Sequence, residues 1–384
     1  MSETHFTPHS SRLTLLSSIF NSMTQYIGQT SYAHGTPVRT GVLLVNLGTP
    51  EEPTAKGLRP YLRQFLSDPR VIEWPAWLWK PILNGIVLQV RPKKSAKLYA
   101  SIWTENGSPL LVYSQSVVKQ LRDALAPAWG GAIQVELAMR YGSPSIKDTL
   151  EKMRQNNVQR ILVLPLFPQY SAATTATIFD VLFDELKRWR WSPELRTITG
   201  YHDCPLYIQG LANSIQTYWA EHGRSPKLLY SFHGVPQSYF AKGDPYHCFC
   251  HKTARLVSEQ LGLSRDEYEV CFQSRFGPEE WLQPYTDKTL EAWAHGGLER
   301  VDTICPGFAV DCLETLEEMA EQNRELFLEA GGKAYHYIPC LNDTADQTTL
   351  MFELVNAHLQ GWAPPQPADL QQSAAAFTAH QARK

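Results

Sequence analysis

The stretch RILVLPLF, residues 160–167, decides the fold because it is a continuous apolar run that ends at a turn-forming proline. Six further runs of this kind occur along the chain, and helical stretches separate them. Apolar runs that alternate with helices are typical of parallel strands covered on both faces. The sequence therefore predicts a doubly wound α/β architecture. The other runs are GVLLVNL (41–47), VELAM (135–139), KLLYSF (227–232), YEVCFQ (268–273), RVDTIC (300–305) and AYHYI (334–338).

The runs form two groups on either side of about residue 190, where RWRWSPELR interrupts the pattern. We therefore predict two α/β domains, 41–190 and 191–362, which suits a chain of 384 residues. Residues 1–40 contain Arg12 and Arg39 as their only cationic side chains and are predicted to be a flexible N-terminal extension. Residues 363–384 are rich in Pro, Gln and Ala and predict a disordered tail.

Composition excludes several classes of protein. With 43% hydrophobic and 19% charged residues, the chain is typical of a globular protein. Lys and Arg number 35 against 38 Asp and Glu, so no overall positive field attracts nucleic acid. The seven cysteines are an odd number in a long chain, which argues against a secreted disulfide framework. We expect a cytoplasmic protein.

The most apolar window is WPAWLWKPILNGIVLQV, residues 74–90. It contains two prolines and Lys80 and falls short of the ~20 clean residues that a spanning helix needs. One interpretation is a buried pair of helices. The other is an apolar lip, either on a pocket for a flat hydrophobic ligand or on a surface that dips into a membrane, because Trp favours such interfaces.

Open parallel sheets bind ligands beyond the carboxyl ends of their strands. His233 follows one predicted strand directly, within SFHGVP, and Arg140 ends another. An arginine at a pocket mouth suits a carboxylate, whereas a structural histidine is the alternative for His233. The chain has no GxGxxG after the first strand and no GxxxxGK[ST], which disfavours a nucleotide-using enzyme.

The segment CPGFAVDCLETLEEMAEQ, residues 305–322, carries a series of acidic side chains after another predicted strand. On an α-helix their offsets of 3, 4 and 7 would place them on one face. That face is either solvated or a ladder that passes on cations or protons, with Glu314 toward the pocket. The acids are Asp311, Glu314, Glu317, Glu318 and Glu321.

A further cluster occurs in DPYHCFCHK, residues 244–252, which holds His247, Cys248, Cys250 and His251. These residue types are metal ligands, but no second pair follows at the spacing of a structural zinc site. The alternative is a loop in which the thiols are incidental.

Seven segments, in order, resemble those of the ferrochelatase family, from about residue 41 to residue 362. The resemblance is closest to the bacterial form. It implies two similar doubly wound parallel-sheet domains with the active-site cleft between them. It also implies insertion of Fe²⁺ into protoporphyrin IX to give protohaem, the last step of haem synthesis. The segments are VNLGTPEEP, FLSDPRV, AKLYASIWTENGSPL, PLFPQYSAATTAT, SFHGVP, QSRFGPEEWLQPYT and CPGFAVDCLETLEE.

The resemblance also assigns residues. The catalytic histidine and glutamate of the family, which also meet the metal, correspond to His233 and Glu314. Leu47 favours protoporphyrin over coproporphyrin as the substrate, because some relatives that use coproporphyrin have a residue similar to Tyr at this position. The positions that line the porphyrin cleft or meet the propionates correspond to Leu47, Arg91, Tyr99, Ser108, Arg140, Tyr141 and Trp281.

Cofactor and partners follow from the same resemblance. Relatives with an iron–sulfur cluster place cysteines in a C-terminal extension or an internal motif, whereas no cysteine follows Cys340 here. Ala172 and Pro245 stand where such relatives have thiols. We therefore predict no iron–sulfur cluster and no cofactor beyond the Fe²⁺ substrate. Protoporphyrin IX and Fe²⁺ are the expected partners, and a peripheral contact with the cytoplasmic side of the inner membrane is left open.

Two alternatives remain at this point. A tetrapyrrole or haem carrier would use the same apolar walls and Arg140 but would not need the acidic series. A cobalt or nickel chelatase for another tetrapyrrole would tend to have more than one histidine near the metal, whereas His233 alone follows a strand. The route of the iron, through His233 or along the acidic series, also stays open.

Overall fold

A computed structural model describes residues 26–28, 36, 38–362, 372, 375, 378–379 and 382. Its strands match all seven apolar runs, and an additional short strand, β4, has no such run. The strands of the described residues are β1 (Arg39–Gly48), β2 (Ile133–Tyr141), β3 (Val158–Pro165), β4 (Glu194–Thr197), β5 (Leu228–His233), β6 (Tyr268–Gln273), β7 (Arg300–Ile304) and β8 (Ala334–Ile338).

The strands form two four-stranded sheets with the same connectivity. Their spatial orders are β2-β1-β3-β4 and β6-β5-β7-β8, and every pair is parallel. The two halves are therefore similar in topology, which confirms the predicted fold class. β1 and β5 are equivalent central strands, so the residues that follow them occupy equivalent places in the two halves.

Helices connect successive strands. Several begin at a side-chain cap: Thr54, Ser145 and Thr344 each accept a hydrogen bond from a backbone N–H in the first turn. The α-helices of the described residues are α1 (Ala55–Leu66), α2 (Ala76–Ile82), α3 (Leu88–Ile102), α4 (Pro109–Trp129), α5 (Ile146–Gln155), α6 (Thr177–Leu186), α7 (Pro205–His222), α8 (Gln237–Ala241), α9 (Tyr246–Leu261), α10 (Thr286–His295), α11 (Asn323–Glu329) and α12 (Ala345–His358).

Three segments are π-helical: Leu83–Val87, Ala172–Ala176 and Glu314–Gln322. Two short 3₁₀ turns, Gly130–Ala132 and Arg265–Glu267, each lead into a strand. In a π-helix the hydrogen bonds run from i to i+5, and such segments often occur at functional sites. The third segment begins at Glu314.

Both faces of the first sheet are covered, as the sequence predicts. Successive residues of β1 point to opposite faces, and Leu44 belongs to one buried cluster whereas Leu43 belongs to another. The larger cluster also contains Tyr230 and Phe232 of β5. One core thus continues from the first half into the second.

The predicted boundary at residue 190 falls too early. β4 lies beyond it and pairs with β3, so it completes the first sheet. The chain also returns to this half at its end, because α12 packs on α4 as well as α7. Trp362 then donates a hydrogen bond of 2.7 Å to Glu194 of β4. The sequence ELRT of β4 is polar and short, which explains why the apolar pattern did not indicate it.

Part of the predicted N-terminal extension is structured. Arg39 and Thr40 begin β1. Ile27 lies alongside the segment that follows α6: its N–H donates to the Arg188 carbonyl at 2.7 Å, and its carbonyl accepts from Arg190 at 2.9 Å. Most other residues of 1–40, and most of the predicted tail 363–384, lie outside the described residues.

Candidate active site

His233 is the last residue of β5 and stands half-buried at the carboxyl edge of the second sheet. Gly234 follows because a Cβ there would lie 2.8 Å from the carbonyl oxygen of Gln273, closer than side chains approach. His233 Nδ1 lies 2.6 Å from the Gly234 carbonyl oxygen. Since a carbonyl only accepts, Nδ1 carries a proton, so Nε2 is the ring nitrogen left to bind a proton or a metal ion.

Glu314 begins the third π-helical segment, and this geometry corrects the predicted acidic face. Each turn takes up more residues than in an α-helix, so the α-helical offsets do not apply. Glu317 is buried and accepts both hydrogen bonds of the Gln322 amide, at 2.7 and 2.8 Å. Glu321 is exposed. The acids therefore do not form one continuous stripe.

Glu314 and Glu318 both reach the end of β6. Gln273, which is aligned with His233 on the neighbouring strand, donates from Nε2 to the Glu314 carbonyl at 2.7 Å and to Glu318 Oε2 at 3.3 Å. Ser274 donates to the Glu318 carboxylate from its N–H at 2.8 Å and also from its hydroxyl. The histidine and the start of the acidic segment thus meet at one sheet edge.

The electrostatics of Glu318 reflect this meeting. Burial raises the pKa of Glu318, the hydrogen bond from Ser274 and the charge of His233 lower it, and the charge of Glu314 raises it. The carboxyl group of Glu318 therefore responds to both candidate catalytic side chains.

The first half supplies the opposite wall of the site. Burial raises the pKa of Tyr61 on α1, and the charge of Glu314 raises it further. Burial also raises the pKa of Tyr99 on α3 and lowers the pKa of Arg91 on the same helix. The charge of Glu314 raises the pKa of both groups. Leu313 packs against the same buried cluster as these tyrosines. Glu314 therefore faces α1 and α3 across the cleft.

The predicted apolar lining residues belong to this wall. Tyr99 and Tyr141 are buried members of the cluster, and Leu47 packs against it from the end of β1. Ser108, which precedes α4, is buried and accepts a hydrogen bond of 2.8 Å from the Thr49 hydroxyl.

Arg140 has protein partners inside the first half. It forms an ion pair with Asp68, in which the side chains are only 16% and 3% exposed. Its Nε also donates to the hydroxyl and the carbonyl of Thr177, at 2.7 and 3.0 Å. Tyr141 donates to the same carboxylate at 2.8 Å. The structure thus directs this guanidinium toward Asp68.

Trp281 lies beside His233, with ring centroids 6.5 Å apart, and 4.7 Å from the ring of Phe276. Its indole nitrogen is buried and has no hydrogen-bond partner among the described residues. Arg91 reaches across from α3 and places its guanidinium 5.4 Å from the Phe276 ring. Trp74 also bridges the halves by donating to Glu279 at 3.0 Å. These contacts link α3 and Trp74 in the first half to the segment 276–281 of the second half.

Residues 74–90 form α2, a π-helical segment and the start of α3, and their outer side is exposed. Trp77 is 78% exposed, Ile86 63% and Val90 53%. Trp79 turns inward and donates to the Leu66 carbonyl at 2.6 Å. The buried helix pair is therefore wrong for the outer face, and an apolar lip describes it. No helix within the described ranges is long and apolar enough to cross a bilayer.

The HCFC segment is not a loop but the first two turns of α9, which begins at Tyr246. Cys250 is buried whereas Cys248 is exposed, so the two thiols point to different sides. The rings of His247 and His251 lie 4.4 Å apart. Among the residues that the structure describes, no three His, Cys, Asp or Glu side chains are grouped to hold a metal ion.

The sequence did not single out Gln273, Tyr61 or Asp68. A polar residue that ends a buried strand, as Gln273 does, was a usable signal. Asp68 and Tyr61 lie on or next to α1, where no local pattern separates them from other polar residues.

The chain is similar to known proteins over most of its length. A family model described as ferrochelatase matches residues 39–359. The ferrochelatase of Marinobacter nauticus is 52% identical over 351 residues, which is 91% of this chain and 95% of the relative. That of Nitrosococcus oceani is 54% identical over 336 residues, 88% and 91% respectively. The solved structure of SirB from Bacillus subtilis with Fe³⁺ has a TM-score of 0.50 at 11% identity, covers 85% of this chain and 99% of SirB, and shares the fold.

Proposed function

This chain belongs to the ferrochelatase family, and on that premise we propose that His233 and Glu314 deprotonate the porphyrin and pass Fe²⁺ to it. A ferrochelatase is a lyase of haem biosynthesis that inserts iron into a porphyrin, and this is the activity of the chain. The observation that carries the proposed roles is the meeting of His233, Gln273 and Glu314 at one sheet edge.

The reaction sets two requirements. Two pyrrole protons must leave as Fe²⁺ enters, and the nitrogen lone pairs must point out of the ring plane toward the metal. Bending the macrocycle meets the second requirement at a cost of about 1–5 kcal/mol, which binding to apolar walls supplies. The buried tyrosines of the first half and Trp281 of the second are proposed as these walls.

His233 is suited to accept one of the two pyrrole protons, and the Glu314 carboxylate can take the other. The Nδ1 proton of His233 is engaged by the Gly234 carbonyl, so Nε2 is the ring nitrogen left to meet a substrate. Imidazole is the usual general base near neutral pH. Glu314 adds a carboxylate, and imidazole with carboxylate forms a ligand set that suits Fe²⁺. A set without thiolates would hold the ion loosely enough to release it to the porphyrin.

Arg91 is proposed to pair with a porphyrin propionate. Its guanidinium lies between the halves, near the Phe276 ring, and no ion pair within the described residues involves it. Arg140 instead supports Tyr141 through their shared partner Asp68. Leu47, an apolar residue at the end of β1, supports protoporphyrin IX over a porphyrin with more carboxylates.

The test of His233 is its replacement by alanine. We expect His233→Ala to abolish insertion when protein, Fe²⁺ and protoporphyrin are mixed anaerobically, while porphyrin binding measured by fluorescence stays close to that of the parent. His295→Ala, which alters an exposed histidine of α10, is the matched control. Full activity of His233→Ala would overturn the assignment. Binding without turnover by the unmutated protein would favour a tetrapyrrole carrier.

Glu314→Gln tests the carboxylate. We expect turnover to fall by about 10²-fold with a modest change in KM, because a group used in the chemical step affects kcat. Glu321→Gln, on the exposed side of the same segment, should keep parental turnover. A rise in porphyrin KM alone would identify Glu314 as a binding group instead.

The outer face of α2 and α3 is proposed to contact the cytoplasmic side of the inner membrane. Its apolar side chains are followed on α3, at offsets of three, four and seven from Val90, by Lys93, Lys94 and Lys97, all exposed. No ion pair of the described residues involves these lysines, and residues 76–102 contain no acidic side chain. Apolar anchors beside unpaired cations are typical of helices that lie on anionic lipid surfaces.

Sedimentation with phosphatidylglycerol-containing vesicles tests this contact. We expect the parent to bind these vesicles more strongly than pure phosphatidylcholine vesicles, and Lys93→Glu with Lys94→Glu to lose that difference. Lys119→Glu with Lys333→Glu is the matched control, because both lysines are exposed on other surfaces. Equal binding of the two double variants to the phosphatidylglycerol vesicles would contradict the proposed surface.

A further inference from the structure

Gln273 uses every polar group it has on the elements that surround the site. The residue is buried. Its Oε1 accepts from the Ser231 hydroxyl of β5 at 2.6 Å and from the Cys305 thiol, which follows β7, at 3.6 Å. Its Nε2 donates to the Glu314 carbonyl at 2.7 Å and to Glu318 at 3.3 Å. One side chain of β6 therefore joins β5, the end of β7 and the π-helical segment 314–322.

The backbone of Gln273 acts on His233. Its carbonyl accepts from the Gly234 N–H at 2.8 Å, and the carbonyl of Gly234 in turn lies 2.6 Å from His233 Nδ1. The orientation of the imidazole thus depends on a peptide group that Gln273 fixes. The same residue holds the backbone of Glu314 through its side chain.

The amide of Gln273 can take only one orientation. The Glu314 carbonyl is an acceptor, so the amide nitrogen must face it, and the amide oxygen then faces Ser231. A side chain without a donor at this place would leave the Glu314 carbonyl without this bond. The demand is therefore for a donor on one side and an acceptor on the other.

Ser274 strengthens the same connection. It has φ of +65°, in the left-handed region that residues other than glycine seldom adopt. In this conformation its N–H and hydroxyl both donate to the Glu318 carboxylate. Uncommon backbone conformations persist where the surrounding structure requires them, often at functional sites. Glu318 is thereby anchored one turn beyond Glu314.

We infer that Gln273 is a positioning residue that sets Glu314 and His233 against each other for iron insertion. This rests on the proposed roles of those two residues. Gln273 is not a catalytic residue, because an amide neither titrates near neutral pH nor is needed as a ligand here. It acts through the backbone of Glu314 and through Gly234.

Two substitutions test the inference. Gln273→Leu keeps the size but removes both polar groups, and we expect kcat to fall by roughly 10- to 100-fold with porphyrin KM within about threefold, since small displacements have such effects. Gln273→Glu should be as slow at neutral pH, because a carboxylate cannot donate to the Glu314 carbonyl. At acid pH its protonated carboxyl group regains a donor, so its activity relative to the parent should recover. The leucine variant should show no such recovery.

The loss of kcat at nearly constant porphyrin KM in folded Gln273→Leu separates positioning from a merely structural role, which would impair porphyrin binding as well. Gln209→Leu, on the exposed side of α7, is the control, and near-ultraviolet circular dichroism verifies folding. Parental kcat in folded Gln273→Leu would overturn the inference while an inactive His233→Ala leaves the proposed function intact. If the leucine variant does not fold, Gln273→Glu decides. Recovery of its activity relative to the parent at acid pH supports the inference, and a relative activity that does not change with pH overturns it.

Discussion

At the residue scale, the buried carboxylate of Asp68 carries more contacts than its place in the sequence suggests. It accepts hydrogen bonds from Arg140, Tyr141 and Thr177, and from the backbone of Arg70 at 2.8 Å. A buried ion pair is costly to break because the remaining charge has no partner. The local role of Arg140 is therefore to hold Tyr141 and α6 in place.

Asp68→Ala should lower the free energy of unfolding by about 3–5 kcal/mol, because it leaves the Arg140 guanidinium buried without its counter-charge. Denaturant titration measures this. Asp184→Ala is the matched control: its ion pair with Lys187 is 73% and 72% exposed, and such surface pairs contribute about 0–1 kcal/mol. Equal losses in the two variants would contradict the assignment of Asp68 as the centre of the network.

A second prediction at this scale concerns His202. Burial lowers its pKa, Asp203 raises it and Lys252 lowers it, and its ring stacks on Phe249 at 3.8 Å. The unfolded chain therefore binds the proton first as the pH falls. The contribution of neutral His202 to stability is present above the ordinary histidine pKa of about 6.5 and declines as the pH falls below it.

Melting temperatures at about pH 7.5 and pH 5.5 should reveal this loss. His202→Phe keeps a stacking ring but cannot take a proton, so its melting temperature should change less between the two pH values than that of the parent. His222→Phe, at a partly exposed position of α7, is the control. An unchanged pH dependence in His202→Phe would mean that this ring does not titrate on unfolding.

At the element scale, the sequence pattern did not predict β4 or the π-helical form of Glu314–Gln322. β4 has four residues, three of them polar or charged. It is a strand because it pairs with β3, and Trp362 contacts its Glu194 and Arg196. The π-helical segment has the composition of an amphipathic α-helix. The sequence does not show its i to i+5 hydrogen bonds. In the structure, Gln273 and Ser274 bind this segment at Glu314 and Glu318.

Trp362→Ala should destabilise the protein by about 3–5 kcal/mol, the usual cost of removing a large buried aromatic side chain. The indole is buried, donates to Glu194 at 2.7 Å and lies 4.1 Å from the Arg196 guanidinium. Trp362→Phe keeps most of the ring and should lose less. Thermal unfolding of both variants measures the difference, and a loss below that of an exposed Trp77→Ala would contradict this role.

At the scale of the whole molecule, the two halves are joined by more than the linking chain. The larger core contains side chains from both sheets. Asp244 of the second half accepts from Ser171 at 3.0 Å and from the Ala172 N–H at 2.7 Å. Tyr239 donates to the carbonyls of Arg70 and Val71. The cleft is thus bounded by halves that support one another.

Calorimetry should therefore record one cooperative unfolding transition, because exposing one half would also open the shared core. Asp244→Ala, which removes hydrogen bonds to a charged group between the halves, should lower the stability by about 2–3 kcal/mol without dividing the transition. Asp123→Ala, which alters an exposed pair on α4, is the control. Two resolved transitions in the parent would contradict this view.

The sequence by itself determined the apolar strands, their alternation with helices and the placement of His233 at a strand end. These depend on local patterns, because apolar runs of strand length form buried parallel strands wherever they occur. The seven family segments determined the candidate catalytic residues by the same local means.

Only the tertiary structure decided which partners the polar residues have. Arg140 meets Asp68 across 72 residues of chain, Gln273 meets Glu314 across 41, and Trp362 meets Glu194 across 168. Hydrogen bonds depend on distances of about 3 Å and on direction, and neither can be derived from the spacing of residues along a chain. The same reason explains why the α-helical spacing of the acids was wrong: one changed hydrogen-bond register moves every later side chain to another side.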